Sequence, residues 1–240
     1  MRFLRLFLLA LGFCSCGSNP GGFRIGYDPD WYPSDFGPQT SYVNGYTAEM
    51  LLEMAHLSGM RFELVRANGG SLLEGLQAKK YDAVLTTLPP YEYNLAKYDF
   101  SENFLDLGPV LIAPLQAEKN SLEKLEGDLV GIITNDPAAL ILAKHPAIII
   151  RQYPSVPALL DAVAQGEIQG ALLAYIPAVN YVSDLYSGIL HIVGKPLTHQ
   201  GIHLVGAKGG LDAFNRNLAS LRKKSVLEKL KQKWELAPPT

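Results

Sequence analysis

The sequence predicts an α/β protein of two similar-sized units, each a parallel sheet covered by helices. Three observations carry this prediction. Strand and helix patterns alternate through the first hundred residues, they alternate again between residues 129 and 174, and no low-complexity tract interrupts them. The composition agrees, because 48% of the 240 residues are hydrophobic and 18% are charged, a globular rather than a disordered balance. The formal net charge of −2 gives no electrostatic reason to expect nucleic acid as a partner.

The elements follow in order. Phe23 to Tyr27 reads as a short strand, and Asp28 to Pro38, with its three prolines and one glycine, as loop. Met50, Leu51, Met54, Ala55 and Leu57 recur at helical spacing, which predicts a helix over Thr47 to Leu57 with Gly59 as its stop. Phe62 to Val65 alternates as a strand. Ser71 to Ala78 reads as a short helix with Ser71 at its N-cap, and Tyr81 to Leu85 as a buried strand. The second unit repeats the rhythm: strand Leu129–Ile133, helix Ala138–Lys144, strand Ile148–Tyr153, helix Val156–Gln165 and strand Gly170–Ala174. Residues 211–236 read as helical with a face of lysines and arginines.

The N-terminus has the layout of a secretory signal. Arg2 and Arg5 form a basic region, Phe3 to Phe13 is almost wholly apolar, and small residues follow from Cys14 to Gly17. The apolar run is too short for a stable membrane span and lacks the polar face of a core helix. Both cysteines, Cys14 and Cys16, fall in this segment, so the mature chain is expected to have no internal disulfide. The cysteine placement resembles a bacterial lipoprotein signal, with Cys16 as the lipidated residue; Phe13 departs from the usual leucine, and its bulk disfavours cleavage at Cys14. Residues 1–15 are read as signal and residues 16–22, with Asn19-Pro20-Gly21-Gly22, as a flexible tether. Removing residues 1–15 takes away Arg2 and Arg5 and leaves 19 basic against 23 acidic residues, net −4, an ordinary solubility charge.

Over residues 23–236 the chain resembles family 3 of the bacterial extracellular solute-binding proteins, the polar amino-acid-binding group. Arg24-Ile25-Gly26-Tyr27-Asp28-Pro29-Asp30-Trp31 is similar to the family's opening strand and aromatic loop. Gly45-Tyr46-Thr47-Ala48-Glu49-Met50 resembles its Gly-Phe-Asp-x-Asp-Leu helix start. Leu76-Gln77-Ala78-Lys79-Lys80-Tyr81-Asp82-Ala83, followed by Asp99-Phe100-Ser101, is the most specific pair, and Leu227 to Trp234 resembles the terminal helix. The resemblance implies a two-lobed periplasmic-binding-protein fold of type II, each lobe a mainly parallel sheet flanked by helices. Lobe 1 would hold residues 23–112 and 197–240, and lobe 2 residues 113–196. Two hinge crossings are expected near Leu111-Ile112-Ala113 and Ile192-Val193-Gly194, with ligand in the cleft beyond the carboxyl ends of the strands.

The same resemblance implies the site. Asp28 and Trp31 follow the first strand, and Trp31 falls where the family places an aromatic platform; a loop tryptophan packed on its own lobe is the alternative. Tyr46 falls on a second aromatic wall, or serves as a staple under its helix. Thr86, Thr87 and Leu88 match a segment whose hydroxyls and backbone groups hold ligand oxygens, or simply end a strand. Two positions depart from the family. Its carboxylate-binding arginine, a two-pronged partner, is here Asn94, flanked by Tyr91 and Tyr93, and Pro89 replaces a hydroxyl donor. Its ammonium-binding acid at a strand end is here Ala174, followed by Tyr175. Asn135-Asp136-Pro137 replaces Gly-Thr-Thr at a helix start, where Asp136 can cap but repels an anion. Arg66 is a possible substitute for the carboxylate partner and Lys97 a second, each also readable as a surface charge. His199 and His203 could touch ligand or serve the hinge, and their spacing is a weak metal signal.

These readings predict a non-enzymatic, lipid-anchored periplasmic binding protein of an ABC importer, monomeric, without cofactor or metal. Its partners would be a small molecule, a permease in the inner membrane and the membrane itself through the anchor. A cyclic-acid-dehydratase-like enzyme on the same fold is one alternative, although such chemistry needs a placed acid or base and a carboxylate clamp. A binding or surface-antigen protein without transport is the other.

Overall fold

The computed structural model describes residues 21–30 and 36–238; Cys14, Cys16 and Trp31 lie outside them. Strand β1 (Phe23–Tyr27) is followed by helix α1 (Thr40–Ser58), β2 (Phe62–Arg66), α2 (Leu72–Gln77) and β3 (Ala83–Thr86). A short α3 (Glu92–Leu95) leads to β4 (Asp99–Phe100), β5 (Leu105–Asp106) and β6 (Pro109–Pro114). Next come β7 (Leu129–Ile133), α4 (Ala139–Leu142), β8 (Ile149–Tyr153), α5 (Val156–Ala164), β9 (Gly170–Ala174), α6 (Tyr175–Ser183) and β10 (Leu190–Val193). The chain then forms β11 (Gly201–Gly206), α7 (Asp212–Lys223) and α8 (Val226–Lys233).

Two sheets result. The first runs β2-β1-β3-β11-β4, with β5 also pairing β11; the second runs β10-β6-β9-β7-β8. In the first, β1 pairs β2 and β3 in parallel, and β11 is antiparallel. In the second, β7 pairs β8 and β9 in parallel, and β6 is antiparallel to β9. The α/β architecture of two helix-flanked sheets expected from the resemblance is therefore present.

Alternation along buried strands gives each sheet two packed faces. Ala83 and Leu85 of β3 join Ile25, Met50, Phe104, Phe214 and Leu218 under α1, α7 and α8. Val84 points the other way, into a smaller core with Leu72, Leu76 and Tyr81. In the second sheet Ala171 and Leu173 face α5, whereas Leu172 faces the opposite core with Leu125 and Ile132. α8 closes on α1: Trp234 Nε1 donates to Glu49 Oε2 at 2.8 Å, and a Cβ at Gly45 would come within 2.3 Å of the indole. This contact explains a glycine inside α1. α1 begins about two turns before the predicted Thr47, because Ser41, Asn44 and Gly45 blur the apolar pattern there.

The crossings differ from the sequence expectation. Leu111, Ile112 and Ala113 lie within β6 and pair with β9 or β10, and Ile192 and Val193 lie within β10. These apolar runs are buried strands of the second sheet. The chain passes between sheets at Leu107–Gly108 and again over residues 194–200. The second sheet accordingly starts at Pro109 rather than Ala113, and the first resumes at Gly201 rather than at residue 197. The two crossings are tied together: Leu107 N donates to Gln200 O and Leu197 N to Pro109 O, both at 2.8 Å. They also pack closely, because a Cβ at Gly108 would lie 2.4 Å from Thr198 Oγ1 and 2.8 Å from its carbonyl oxygen.

Candidate functional site

Topology brings two strand edges together. β11 is antiparallel to β3, so the chain enters β11 beside the carboxyl end of β3, with His203 opposite Thr86. β6 is antiparallel to β9, so it starts beside the carboxyl end of β9, with Pro109 opposite Ala174. Asp106 pairs with Gly201, and only Leu107 and Gly108 separate it from Pro109. The carboxyl ends of β3 and β9 thus flank one short pair of crossings, and the space between them is the candidate site.

On the first-lobe edge, side chains hold loops to one another. Asp28, half-buried, accepts from Gly69 N at 2.7 Å and from Asp30 N at 3.0 Å. It thereby joins the loop after β1 to the loop after β2. Thr86 Oγ1 accepts from Leu88 N at 3.1 Å, and His203 Nε2 lies 2.9 Å from the Leu88 carbonyl oxygen. Asn94, only 6% exposed, donates from Nδ2 to Pro89 O at 3.1 Å. Asn94 is therefore a staple of the Thr86–Pro89 loop. Arg66 ends β2 in register with Tyr27 and is exposed, as is Lys97. Tyr91 and Tyr93, 56% and 65% exposed, place their rings 5.7 Å apart.

Tyr46 is a correction. It is 0% exposed within the first-lobe core, and its hydroxyl donates to the Phe104 carbonyl. Burial raises its pKa well above the usual tyrosine value. Its position on the inner face of α1 makes it a core staple, and it offers no wall to a cleft.

On the second-lobe edge one tie is local and one joins two neighbouring strand ends. Asp136 Oδ1 accepts from Ala138 N at 2.7 Å and caps the turn into α4, while Asn135 takes a left-handed φ of 62°. Thr134 Oγ1 donates to Tyr153 O at 3.1 Å. Ala174 is exposed at the N-cap of α6 and offers no side-chain polar group. Tyr175 packs against the cores of both lobes. Burial, and secondarily the charge of Asp106, pushes its pKa up to about 12.

Among the described residues, three cavities adjoin the crossings, and two of them border His203. One of about 220 Å³ is lined by Thr87, Pro90, Tyr91, His199, Gln200 and His203. The other, about 700 Å³, lies toward α7 and α8 and is lined among others by Phe100, Asp106, Tyr175, Lys195, Arg222 and Lys231. His203, 3% exposed, borders both cavities. Sequence reasoning undervalued it, because its only spacing signal, the weak one with His199, says nothing of its contacts with Leu88 and Asn103. No group of three or more metal-ligating side chains occurs among the described residues.

Comparison with known proteins agrees with this fold. The chain is 22% identical over 235 residues to the arginine-binding extracellular protein ArtP of Bacillus subtilis, covering 95% of this chain and 92% of that protein. It is 20% identical over 221 residues to the L-cystine-binding protein TcyA of the same organism, covering 89% and 81%. Its fold is similar to the unliganded open L-cystine solute receptor of Neisseria gonorrhoeae, with TM-score 0.69, 18% identity and coverage of 91% and 94%. It is also similar to an ancestral cyclohexadienyl dehydratase, with TM-score 0.68, 23% identity and coverage of 90% and 92%. The profile of the bacterial extracellular solute-binding proteins, family 3, matches residues 23–237. A match across both sheets, both crossings and the terminal helices leaves one conclusion: the chain belongs to family 3 of the bacterial extracellular solute-binding proteins.

Proposed function

We propose that this chain captures a small amino-acid-like solute of reduced charge between its lobes and delivers it to an ABC permease, while lipid on Cys16 holds it at a membrane. The observation that carries this reading is the pair of strand edges flanking the hydrogen-bonded crossings, with Asn94 and Ala174 where charged anchors would stand. Relatives named for arginine and L-cystine support a ligand of amino-acid size. The missing anchors argue against an ordinary zwitterion. Leaving a buried ionic group without its partner costs about 2–5 kcal/mol, roughly tens-fold to thousands-fold in affinity. The cavity of about 220 Å³ is smaller than the roughly 300–1,000 Å³ of complete small-molecule sites, which suits a half-site completed by Ala174, Tyr175 and the Asp136 turn. Trp31, if it follows the family pattern, supplies the aromatic platform.

Calorimetry against the common amino acids and their amides tests the ligand class. Weak binding of the free amino acids and tighter binding of less charged analogues is expected. A submicromolar Kd for a zwitterion would show that a cation such as Arg66 replaces the arginine. Mass spectrometry of membrane-extracted protein tests the anchor, and a mature chain without lipid on Cys16 would remove it. The likeness to a cyclohexadienyl dehydratase favours a second reading, an enzyme acting on a cyclic acid. Asn94 and Ala174 supply neither a carboxylate clamp nor an acid or base, so no turnover of such substrates is expected.

A further inference from the structure

His203 stands on β11 opposite Thr86, and both of its ring nitrogens meet oxygen. Nε2 lies 2.9 Å from the Leu88 carbonyl oxygen, and Nδ1 lies 3.2 Å from Asn103 Oδ1. The Asn103 amide is fixed in this orientation. Its Nδ2 donates to Asp106 Oδ1 and to the His199 carbonyl, each at 3.0 Å, and a turned amide would set an oxygen against two acceptors. Its seat depends on Gly201, where a Cβ would come within 2.4 Å of Nδ2. A neutral imidazole has one N–H, so it serves one of the two oxygens and turns a lone pair to the other. An imidazolium donates to both.

We propose that His203 is a proton-operated positioning residue: a proton on its ring completes a link from the Thr86–Pro89 loop, through Leu88, to both crossings, through Asn103. Asp106 ends β5 just before the first crossing and His199 belongs to the second, so one ring reaches all three parts. The inference rests on reading that loop as part of the solute site. Burial lowers the pKa of the ring, against the pull of the Leu88 and Gly201 carbonyls; the link is therefore half-made at neutral pH and completes in acid.

The surrounding charges are mixed. From β4 comes Asp99, held by Lys208 and by Gly209 N. From β5 comes Asp106, held through Asn103. From the β4–β5 turn comes Glu102, paired with Arg222 of α7, whose Nη2 also donates to Asn103 O at 2.7 Å. The second crossing brings His199 and Lys195, and α8 brings Glu228 and Lys231, around the adjoining cavity. β3 faces His203 with Thr86 and carries no charged residue. Asp106 is linked to the ring through the neutral Asn103 amide, which makes Asn103 the control point.

Nuclear magnetic resonance of the ligand-free full chain tests this, following the His203 ring nitrogens and the Leu88 carbonyl carbon between about pH 8 and pH 4. Both ring nitrogens should be protonated at the acid end, and the Leu88 shift should move with the same midpoint. Asn103→Asp should raise that midpoint by about one to three pH units, and Asn103→Leu should lower it and release Leu88 from the titration. A Leu88 shift that ignores the ring in the unmodified protein would overturn the proposal without any variant, as would a midpoint indifferent to residue 103. The solute reading fails separately: a coupled titration in a protein that binds no solute keeps the proton link and removes the binding function.

Discussion

The two cleft edges are built by different means. On the first lobe, Asp28 reaches Gly69 and His203 reaches Leu88, so segments far apart in sequence hold one another. On the second lobe, Thr134 reaches only the neighbouring strand end at Tyr153, Asp136 caps its own turn two residues on, and Ala174 contributes no polar group. Long-range ties preorganise a surface before ligand arrives, whereas local caps shape a turn and leave it to meet what the other lobe presents. The first-lobe edge is thus the more preorganised of the two.

The largest expected effect separates the edge from the core beneath it. Tyr46→Ala should cost about 3–5 kcal/mol of stability, measured by urea unfolding, with solute affinity of the folded protein unchanged. Loss of affinity at full stability would return Tyr46 to the cleft. Asp28→Ala tests the long-range ties. Removing a charged acceptor should cost about 1.5–3 kcal/mol and speed amide exchange at both Asp30 and Gly69. Exchange faster at only one of them would mean the loops are not joined. At the crossings, Gly108→Ala forces a methyl against Thr198 and should cost about 1–3 kcal/mol. It should also change the lobe–lobe distance seen by small-angle scattering, and an unchanged scattering curve would show that the crossing absorbs the methyl. The smallest effect belongs to the second edge. Asp136→Ala should cost about 0.5–2 kcal/mol, with exchange changes confined to the turn into α4; spread into the first lobe would erase the contrast.

The fold was legible where strands and helices alternate with clear periodicity, as in Phe23–Tyr27, Val156–Ala164 and Gly170–Ala174. β6 and β10 were misjudged as crossings, because a buried strand and a buried connection look alike when read as apolar runs. α6 escaped notice because it starts directly after β9 and carries Pro177 in its first turn, which masks the change of period. At the site, the resemblance pointed to strand ends but not to how their side chains are used. Whether Asp28, Thr86 and Asn94 face a ligand or hold a loop depends on partners that are distant in sequence, such as Gly69 for Asp28, or are backbone groups of the same loop. Tyr46 shows the same limit, since a helical pattern gives its face and not what lies beyond it.

The most direct test is a crystal structure of the protein with the solute that co-purifies from its own host. Density is predicted between the Thr86–Pro89 loop and the Asp136 and Ala174–Tyr175 turns, contacted mainly by backbone groups and hydroxyls, with both lobes touching it. Density seated instead against Arg222 and Lys231, in the larger cavity beside α7 and α8, would contradict a site at the Thr86–Pro89 loop.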